Sequence, residues 1–555
     1  MDLLIKQINI EQIIPLRAKI LRNGITEKSR FPHDEDETTI HFGVIENDNV
    51  VSIASLYKEN YKNTTGTGYR LRGMATENEL QNKGYGNAIL NNLIEKVKEL
   101  NGDYIWCNAR STAVNFYLKN NFEIISDEFG MPDIGPHFVM MLRLKKSSLS
   151  KSVRDIEIKK YSYRIPFEKI AYYPEEKRDN AKLLIYKDGK IIDDKFYNAL
   201  NYFPEDSLIV FNDSKVVHAR IFFETSEGTK IELFIIEPFD TKDYTKAFNT
   251  KGHAKWECMV GNLRKWKEPV LTKIIDNGYT KIILKAKKNF LSNKFIVEFI
   301  WEPAYLNFSE IVNIFGMTPL PPYIKRDAEK SDDEKYQTIY ANQEGSVAAP
   351  TAGLHFTPEF MNKLNEKNIK QDFVTLHVSA GTFLPVKGET IGKHKMHPEW
   401  IIINKKIIED LYERDFVIST GTTSLRTLES LYWISYLILN KKITDEAQEI
   451  KINQWMPYET EYDVPKKFAL KTILDFMEKN NLDKITASTS LLIVPGYKFK
   501  MVDALITNFH QPQSTLLLLV SAFIGENWRK IYKHALEKDY RLFSFGDSSL
   551  LFKNK

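Results

Sequence analysis

Five of the 11 histidines in this 555-residue chain fall inside short runs of polar and small residues. They are His355 in Ser346–Thr357 (SVAAPTAGLHFT), His377 in Thr375-Leu376-His377-Val378, His394 and His397 in His394-Lys395-Met396-His397, and His510 in Asp503–Thr515 (DALITNFHQPQST). Imidazole gains or loses its proton near neutral pH, so such clustering offers proton transfer, metal binding or a polar interior. Four more runs have the same character: Phe211-Asn212-Asp213-Ser214 with Arg220, Pro322-Tyr323-Ile324-Lys325-Arg326, Gly381-Thr382-Phe383, and Gly421-Thr422-Thr423-Ser424 with Arg426. Catalytic groups gather on loops at strand ends, and Gly, Ser and Thr turns bring backbone close to a ligand. His394-x-x-His397 has the spacing of a metal-ligand pair, yet no Cys or acid completes a zinc pattern. Separately hydrogen-bonded histidines and a shared site for proton transfer and recognition remain, and the second is the favoured reading.

A different chemistry is offered by Gln81-Asn82-Lys83-Gly84-Tyr85-Gly86, which lies between a strand and a helix. Glycines there let successive N–H groups turn inward at a helix N-terminus, an arrangement that cradles a pyrophosphate. An ordinary tight turn has the same look.

The elements that must position these residues are legible in the apolar periodicity. Upstream, Val44–Glu46 and Val50–Tyr57 predict a hairpin closed by Asn47-Asp48-Asn49, and Tyr69–Ala75 and Tyr104–Asn108 predict strands. Gly86–Leu100 predicts an amphipathic helix with Ile89, Leu90, Leu93, Ile94 and Val97 on one face, and Ala113–Lys119 starts another. The run RLKKSSLSKSVR, residues 143–154, lacks aromatics and reads as a linker. Beyond it strands dominate from Leu208 to Glu302, and Phe373–Val378, Phe416–Thr420, Ser490–Val494 and Leu516–Phe523 are apolar enough for buried strands.

Length implies several domains, and 43% hydrophobic with 27% charged residues is the balance of a globular protein. The net charge is +4, and the excess lies downstream of residue 145, which tolerates an anionic partner such as RNA. Cys107 and Cys258 stand alone, so no disulfide framework is expected and a reducing, cytoplasmic setting fits. The N-terminal stretch does not read as a secretory signal, and the longest apolar stretch, Ser514–Ile524, is too short to span a bilayer.

The segment Gly73–Leu90 (GMATENELQNKGYGNAIL) resembles motif A of the GNAT-type N-acetyltransferases, and Ala113–Tyr117 with Asn121-Phe122 resembles that family's late motif. The resemblance implies an α/β domain binding acetyl-CoA through Gln81, Lys83, Gly84, Gly86 and Asn115, with Tyr117 as general acid toward the leaving thiolate. Asn121 replaces the usual Gly, and Asn also accepts left-handed backbone. The acceptor, a small-molecule or peptide amine, is not encoded in a motif. No general base stands out: His41, Asp34 and Glu35 are open candidates, and His137 reads equally well as a structural histidine. A non-catalytic acyl-CoA- or RNA-binding module is the alternative.

Downstream, Ala171–Lys182 (AYYPEEKRDNAK), Ser346–Thr357, Thr375–Pro385 and Pro495–Ser521 resemble the S-adenosylmethionine:tRNA ribosyltransferase-isomerase family of queuosine biosynthesis. The implied reaction moves the ribosyl part of S-adenosylmethionine onto 7-aminomethyl-7-deazaguanine in tRNA, gives epoxyqueuosine, and releases adenine and methionine. The sulfonium acidifies the neighbouring C5′ hydrogen, so His355, His377, His397, Asp213 and Asp503 are the candidate bases and acids. Gly421, Thr422, Thr423 and Ser424 would hold the nucleoside. Tyr323, Tyr336, Lys325, Arg326, Arg426, Asn508 and His510 would meet base, phosphate or methionine carboxylate. A methyltransferase would want a Gly-rich loop after a first strand, and none follows residue 155.

The fold class implied is multidomain α/β: a GNAT-like domain over 1–142, a linker over 143–155, and a large barrel-containing domain over 156–215 and 316–555. A small β domain over 216–315 is inserted in it. No metal and no membrane contact are expected, and a monomer is favoured. Gln454–Asp463 (QWMPYETEYD) departs from the family as an insert, and Gly261–Lys267 (GNLRKWK) replaces a more usual turn. The basic segment Arg264–Lys267 is a candidate tRNA contact. Replacing Arg264, Lys265 and Lys267 by alanine is expected to weaken tRNA binding and lower the slope of log affinity against log salt by about one for each phosphate no longer neutralised. An unchanged slope in a filter-binding salt titration excludes this role for the segment.

Overall fold

The computed structural model describes residues 3–62, 64–132, 134–145, 152–241, 243–276, 278–291, 294–378, 386, 388–444 and 449–554. Residues 146–151 of the expected linker and the run Gly381-Thr382-Phe383 lie outside the described residues. The chain divides into two compact units. The first is Met1–Asp155 with Tyr436–Ile443 and Trp455–Ala469, and the second is the remainder.

In the first unit the strands are β1 (Leu4–Ile8), β2 (Ile40–Glu46), β3 (Asn49–Lys58), β4 (Gly68–Thr76), β5 (Tyr104–Arg110), β6 (Glu123–Ile124), β7 (Phe129–Met131) and β8 (Gly135–Arg143). They form one sheet in the order β1-β2-β3-β4-β5-β8-β6, with β7 on β8. The hairpin β2–β3 turns at Asn47 and Asp48, both with positive φ, as the Asn-Asp-Asn run predicts. Only β4 and β5 are parallel, and they pair from Gly68 opposite Tyr104 to Arg70 opposite Trp106 and no further. Beyond that point the two strands separate and open a cleft. Alternation splits their side chains between the faces. Leu71, Ile105, Cys107 and Ala109 join the core with Ile89, Leu90, Leu93 and Val97 of helix α2 (Tyr85–Glu99).

The other face of this sheet holds Arg17, from the helix Ile10–Leu21, which is fully buried. Its guanidinium donates to Asp34 at 2.7 Å, to the Ser29 carbonyl at 2.9 Å and to Ser55 Oγ at 2.8 Å. Burial alone would raise the Asp34 pKa, but Arg17, the Tyr57 hydroxyl and the Phe31 N–H outweigh it and hold the carboxyl below its ordinary value. The segment Tyr436–Ile443 also belongs to this unit, where the Asn440 amide side chain caps both the N–H and the carbonyl of Ile124.

The second unit is built on a ten-stranded mixed sheet. Leu208–Asn212 lies at its centre, parallel to Lys370–Leu376 on one side and to Val417–Thr420 on the other. Ala504–Asn508 continues the parallel set beside Val417–Thr420. Leu208–Asn212, Val417–Thr420 and Ala504–Asn508 are buried along their whole length, as strands covered on both faces must be, whereas Lys370–Leu376 is buried only over its second half. A separate seven-stranded antiparallel sheet runs from Arg220 to Met317 around Trp256, Trp301 and Phe308. Two expected strands differ. Leu516–Phe523 lies within the helix Thr515–Ile524, because Ser514 caps it by accepting from the Leu517 N–H at 3.2 Å and burial surrounds the segment. Ser490–Val494 is buried irregular chain that follows the strand Lys484–Thr489.

Replacing Arg17 with methionine leaves Asp34 buried without its cation and is expected to destabilise the first unit by about 3–5 kcal/mol. Hydrogen exchange of the full chain should show lost protection in Ile10–Leu21 and β3, and unchanged protection there would refute the role.

Candidate functional sites

In the second unit a pocket lies where the parallel strands Val417–Thr420 and Ala504–Asn508 end. This is the edge at which open α/β sheets bind ligands. Ala348–Ala352 forms one wall and Asn508–Gln511 another. Gly421, with φ +88°, turns the chain out of its strand and into the helix Gly421–Leu439, so Thr422 and Thr423 stand at a helix N-terminus facing the pocket. One turn along, Arg426 reaches the same space. It is buried and pairs through Nη1 with the buried Glu399 at 2.5 Å, while its Nε and Nη2 have no hydrogen-bond partner among the described residues. Tyr323 closes the opposite side, its ring 4.8 Å from Phe543 and its hydroxyl 2.5 Å from Ser544 Oγ.

Of the five clustered histidines only His510 lines this pocket, its Nε2 sharing a hydrogen bond of 2.8 Å with Thr507 Oγ1. His355 stands one residue behind, receiving the Asn508 amide at 3.3 Å, and Asn508 in turn accepts from Thr351 Oγ1 at 3.0 Å. His377 turns away and stacks on Tyr244 at 4.7 Å. Burial pushes each of these three imidazoles down to about 4. His397 is exposed and His394 half-buried on an irregular loop. The expectation that all five share one cavity therefore does not hold, since alternation along Lys370–Leu376 and burial behind Asn508 send the rings to different neighbours.

The first unit has its own cleft, in the gap between β4 and β5. Tyr117 lines it, buried beside Cys107, with its hydroxyl directed to Met74 Sδ at 3.7 Å, and burial raises its pKa well above the ordinary value. Gly84 caps α2 with φ +92°, and the first intrahelical bond is from Ala88 N–H to the Gly84 carbonyl at 3.0 Å. The N–H groups of Tyr85, Gly86 and Asn87 precede that bond and point out of the helix end. Gln81 donates to the Thr76 carbonyl and to Asn78 Oδ1, bracing the turn, and Lys83 is exposed beside it. Asn115 accepts from Lys441.

Residues 158–551 match the profile of the family described as queuosine biosynthesis protein. The chain belongs to that family. It is 36% identical over 412 residues to an S-adenosylmethionine:tRNA ribosyltransferase-isomerase of Rickettsia bellii, covering 72% of this chain and 99% of that one. A protein of the same name from Treponema denticola is 35% identical over 406 residues, covering 71% and 99%. The crystal structure of an S-adenosylmethionine tRNA ribosyltransferase from Thermotoga maritima is 25% identical, covers 71% of this chain and 99% of that one, and gives a TM-score of 0.34. Residues 11–122 match the acetyltransferase (GNAT) family, so a domain of that family precedes the queuosine-biosynthesis part.

Several other expected residues of the queuosine-biosynthesis part lie outside the lining of this pocket. Asp503 lies at the N-terminal edge of its strand, accepting from the Val417 N–H and pairing with Lys553 at 3.0 Å, away from the pocket at the strand's other end. Asp213 accepts from Thr375 Oγ1 at 2.6 Å, and burial raises its pKa. Arg326 is committed to Asp332 in a bidentate pair, Lys325 is exposed beside Phe167, and Tyr336 is buried against Phe545. Ser424 spends its hydroxyl on the Thr420 carbonyl. Glu399, Phe543 and Ser544 went unrecognised in the sequence. The polar run after Phe543 was the signal for two of them, and Glu399 carries none.

Neutral buried imidazoles make stability depend on pH with a defined sign. The unfolded chain takes up protons near 6.5 and the folded one only near 4, so stability present above pH 6.5 is lost as pH falls toward 4. His377→Phe, which keeps a ring on Tyr244, is expected to flatten the fall of the thermal midpoint over that window. A slope equal to that of the native chain would show that His377 is protonated when folded.

Proposed function

We propose that residues 158–551 transfer and isomerise the ribosyl moiety of S-adenosylmethionine onto 7-aminomethyl-7-deazaguanine in tRNA, giving epoxyqueuosine with release of adenine and methionine. The observation that carries this reading is the buried Arg426 with two unpartnered nitrogens at the pocket wall, beside the helix start at Gly421–Thr423. Paired guanidinium and helix N–H donors suit a carboxylate, which the methionine end of the substrate supplies. Tyr323 and Phe543 offer ring faces for adenine. His510 is the base we assign to the acidic C5′ proton. With Nε2–H given to Thr507 Oγ1, its Nδ1 is the lone-pair nitrogen, and its lowered pKa keeps it neutral. Tyr323, whose pKa burial pushes up to about 12, retains a proton to give to departing adenine. His355 positions Asn508, and we assign no chemistry to His377 or His397. We read the seven-stranded sheet as a small domain over 216–315 inserted into the larger one, and tRNA as substrate places the reaction in the cytoplasm.

For the N-terminal domain we infer acetyl transfer from acetyl-CoA to an amine, with Tyr117 protonating the leaving thiolate. His137 is the base of choice, because its Nδ1–H is held by the Gly135 carbonyl at 2.8 Å and its Nε2 is left with the lone pair at the cleft wall. Asp34 and His41 are saturated by the buried Arg17 network, and Glu35 pairs with Arg30 at the surface.

Incubating the full chain with S-adenosylmethionine and tRNA carrying the aminomethyl base should release adenine and methionine. S-adenosylhomocysteine as product would overturn the reading in favour of methyl transfer. Arg426→Gln is expected to raise KM for S-adenosylmethionine by about 10–100-fold, the worth of a lost charge-assisted hydrogen bond or two.

A further inference from the structure

The cleft of the first unit is lined by Arg22, Arg70, Arg72 and Arg110 and, among the described residues, by no carboxylate. Arg70 alone has an ion pair, to Glu59 at 3.0 Å. Arg22 spends its hydrogen bonds on the carbonyls of Leu21 and Lys28. Arg72 lies over the rings of Phe31 and Tyr57 at 4.8 and 5.2 Å, and neither it nor Arg110 has an acidic partner among the described residues. Burial first, and then the neighbouring guanidinium groups, lower the pKa of both Arg22 and Arg72. Half-buried like charges facing one space repel one another and disfavour the empty cleft, and an anion entering it reverses that.

The cofactor's phosphates are not that anion. Their cradle, Gln81–Gly86, opens α2, and α2 packs on the face of the sheet that carries Leu71, Cys107 and Ala109. Strand alternation puts Arg70, Arg72 and Arg110 on the opposite face, with Ser55, Tyr57 and the Arg17 network. The remaining walls come from the end of the helix Ile10–Leu21 and from Met131–His137. The arginines therefore surround the space on the far side of the thioester from the phosphates, where an acceptor must approach.

We propose that the acceptor is a small amine that also carries a carboxylate or phosphate group, held by Arg72 and Arg110 with Arg22 and Arg70 around it. This rests on the acetyl-transfer reading of the same cleft. The amine, after its ammonium gives a proton to His137 Nε2, attacks the thioester carbonyl. A C–N bond forms, the C–S bond breaks, the thiolate leaves with the proton of Tyr117 Oη, and the second proton of the attacking nitrogen goes back to the phenolate, so that amide and coenzyme A are the products. Polyamines and lysine-rich peptides are disfavoured by the same field.

The test uses the full chain and follows release of coenzyme A from acetyl-CoA with matched probes. These are methionine against methioninamide, phosphoethanolamine against ethanolamine, and spermidine. The expected result is a kcat/KM about tenfold or more higher for the anionic member of at least one pair, as loss of a charged hydrogen bond implies. The pair that responds tells carboxylate from phosphate. Arg72→Gln, or Arg110→Gln should the first fail to fold, should raise KM for that amine by about tenfold and leave KM for acetyl-CoA within about twofold. Equal use of the uncharged partners, preference for spermidine, acetyl label entering tRNA alone, or no anionic probe accepted would each overturn the acceptor class. Calorimetry separates the two failures. Absence of acetyl-CoA binding removes the acetyl-transfer reading itself, whereas binding with transfer to neutral or cationic amines removes only the acceptor class.

Discussion

The Arg426 guanidinium sits almost out of water, and a charge in that position persists only if its surroundings answer it. Glu399 answers through one nitrogen, from the first residue of the strand Glu399–Asn404, and the other two nitrogens have no hydrogen-bond partner among the described residues. That pair requires the strand, the helix Gly421–Leu439 and the parallel strand before it to end at one place. Glu429, three residues further along the helix, takes the N–H groups of Lys500, Met501 and Val502 and the Tyr497 hydroxyl, tying the chain that enters Ala504–Asn508 to the same helix. The strand Glu399–Asn404 and the chain that enters Ala504–Asn508 are thus each tied by a buried carboxylate to the helix that begins at Gly421.

The first unit uses a related constraint with a different outcome. Arg17 is buried deeper than Arg426, but both of its terminal nitrogens bond internally, to Asp34, Ser29 and Ser55, and only its Nε has no partner among the described residues. It joins the N-terminal helix to the sheet and offers nothing to a ligand beyond its edge. The arginines that remain unpaired lie around it, on Phe31 and at the open ends of β4 and β5. One buried cation is structural because both of its terminal nitrogens are engaged, and Arg72 and Arg110 beside it are available because neither has an acidic partner among the described residues.

Much of this is legible in the sequence where local rules suffice. The hairpin at Asn47-Asp48, helix α2 and the strand ends bearing Thr507–Gln511 and Gly421–Thr423 follow from periodicity and turn chemistry. Leu516–Phe523 reads wrongly as a strand because an apolar octet surrounded by protein has no polar face to reveal its period, and only the Ser514 cap distinguishes helix from strand. Asp503 reads wrongly as a pocket residue because a polar residue at either end of a parallel strand looks alike in sequence, although only the carboxyl end meets the ligand edge.

The sequence by itself determined the two families and the loops that bear their motifs, because motifs and apolar period are local properties of the chain. Which side chains share a cavity was decided by the tertiary structure alone. Strand alternation turned His377 onto Tyr244 and set Arg72 and Arg110 together, and sheet order placed Glu399 against Arg426. Those neighbours are far apart along the chain, and nothing short of the folded register brings them to hydrogen-bonding distance.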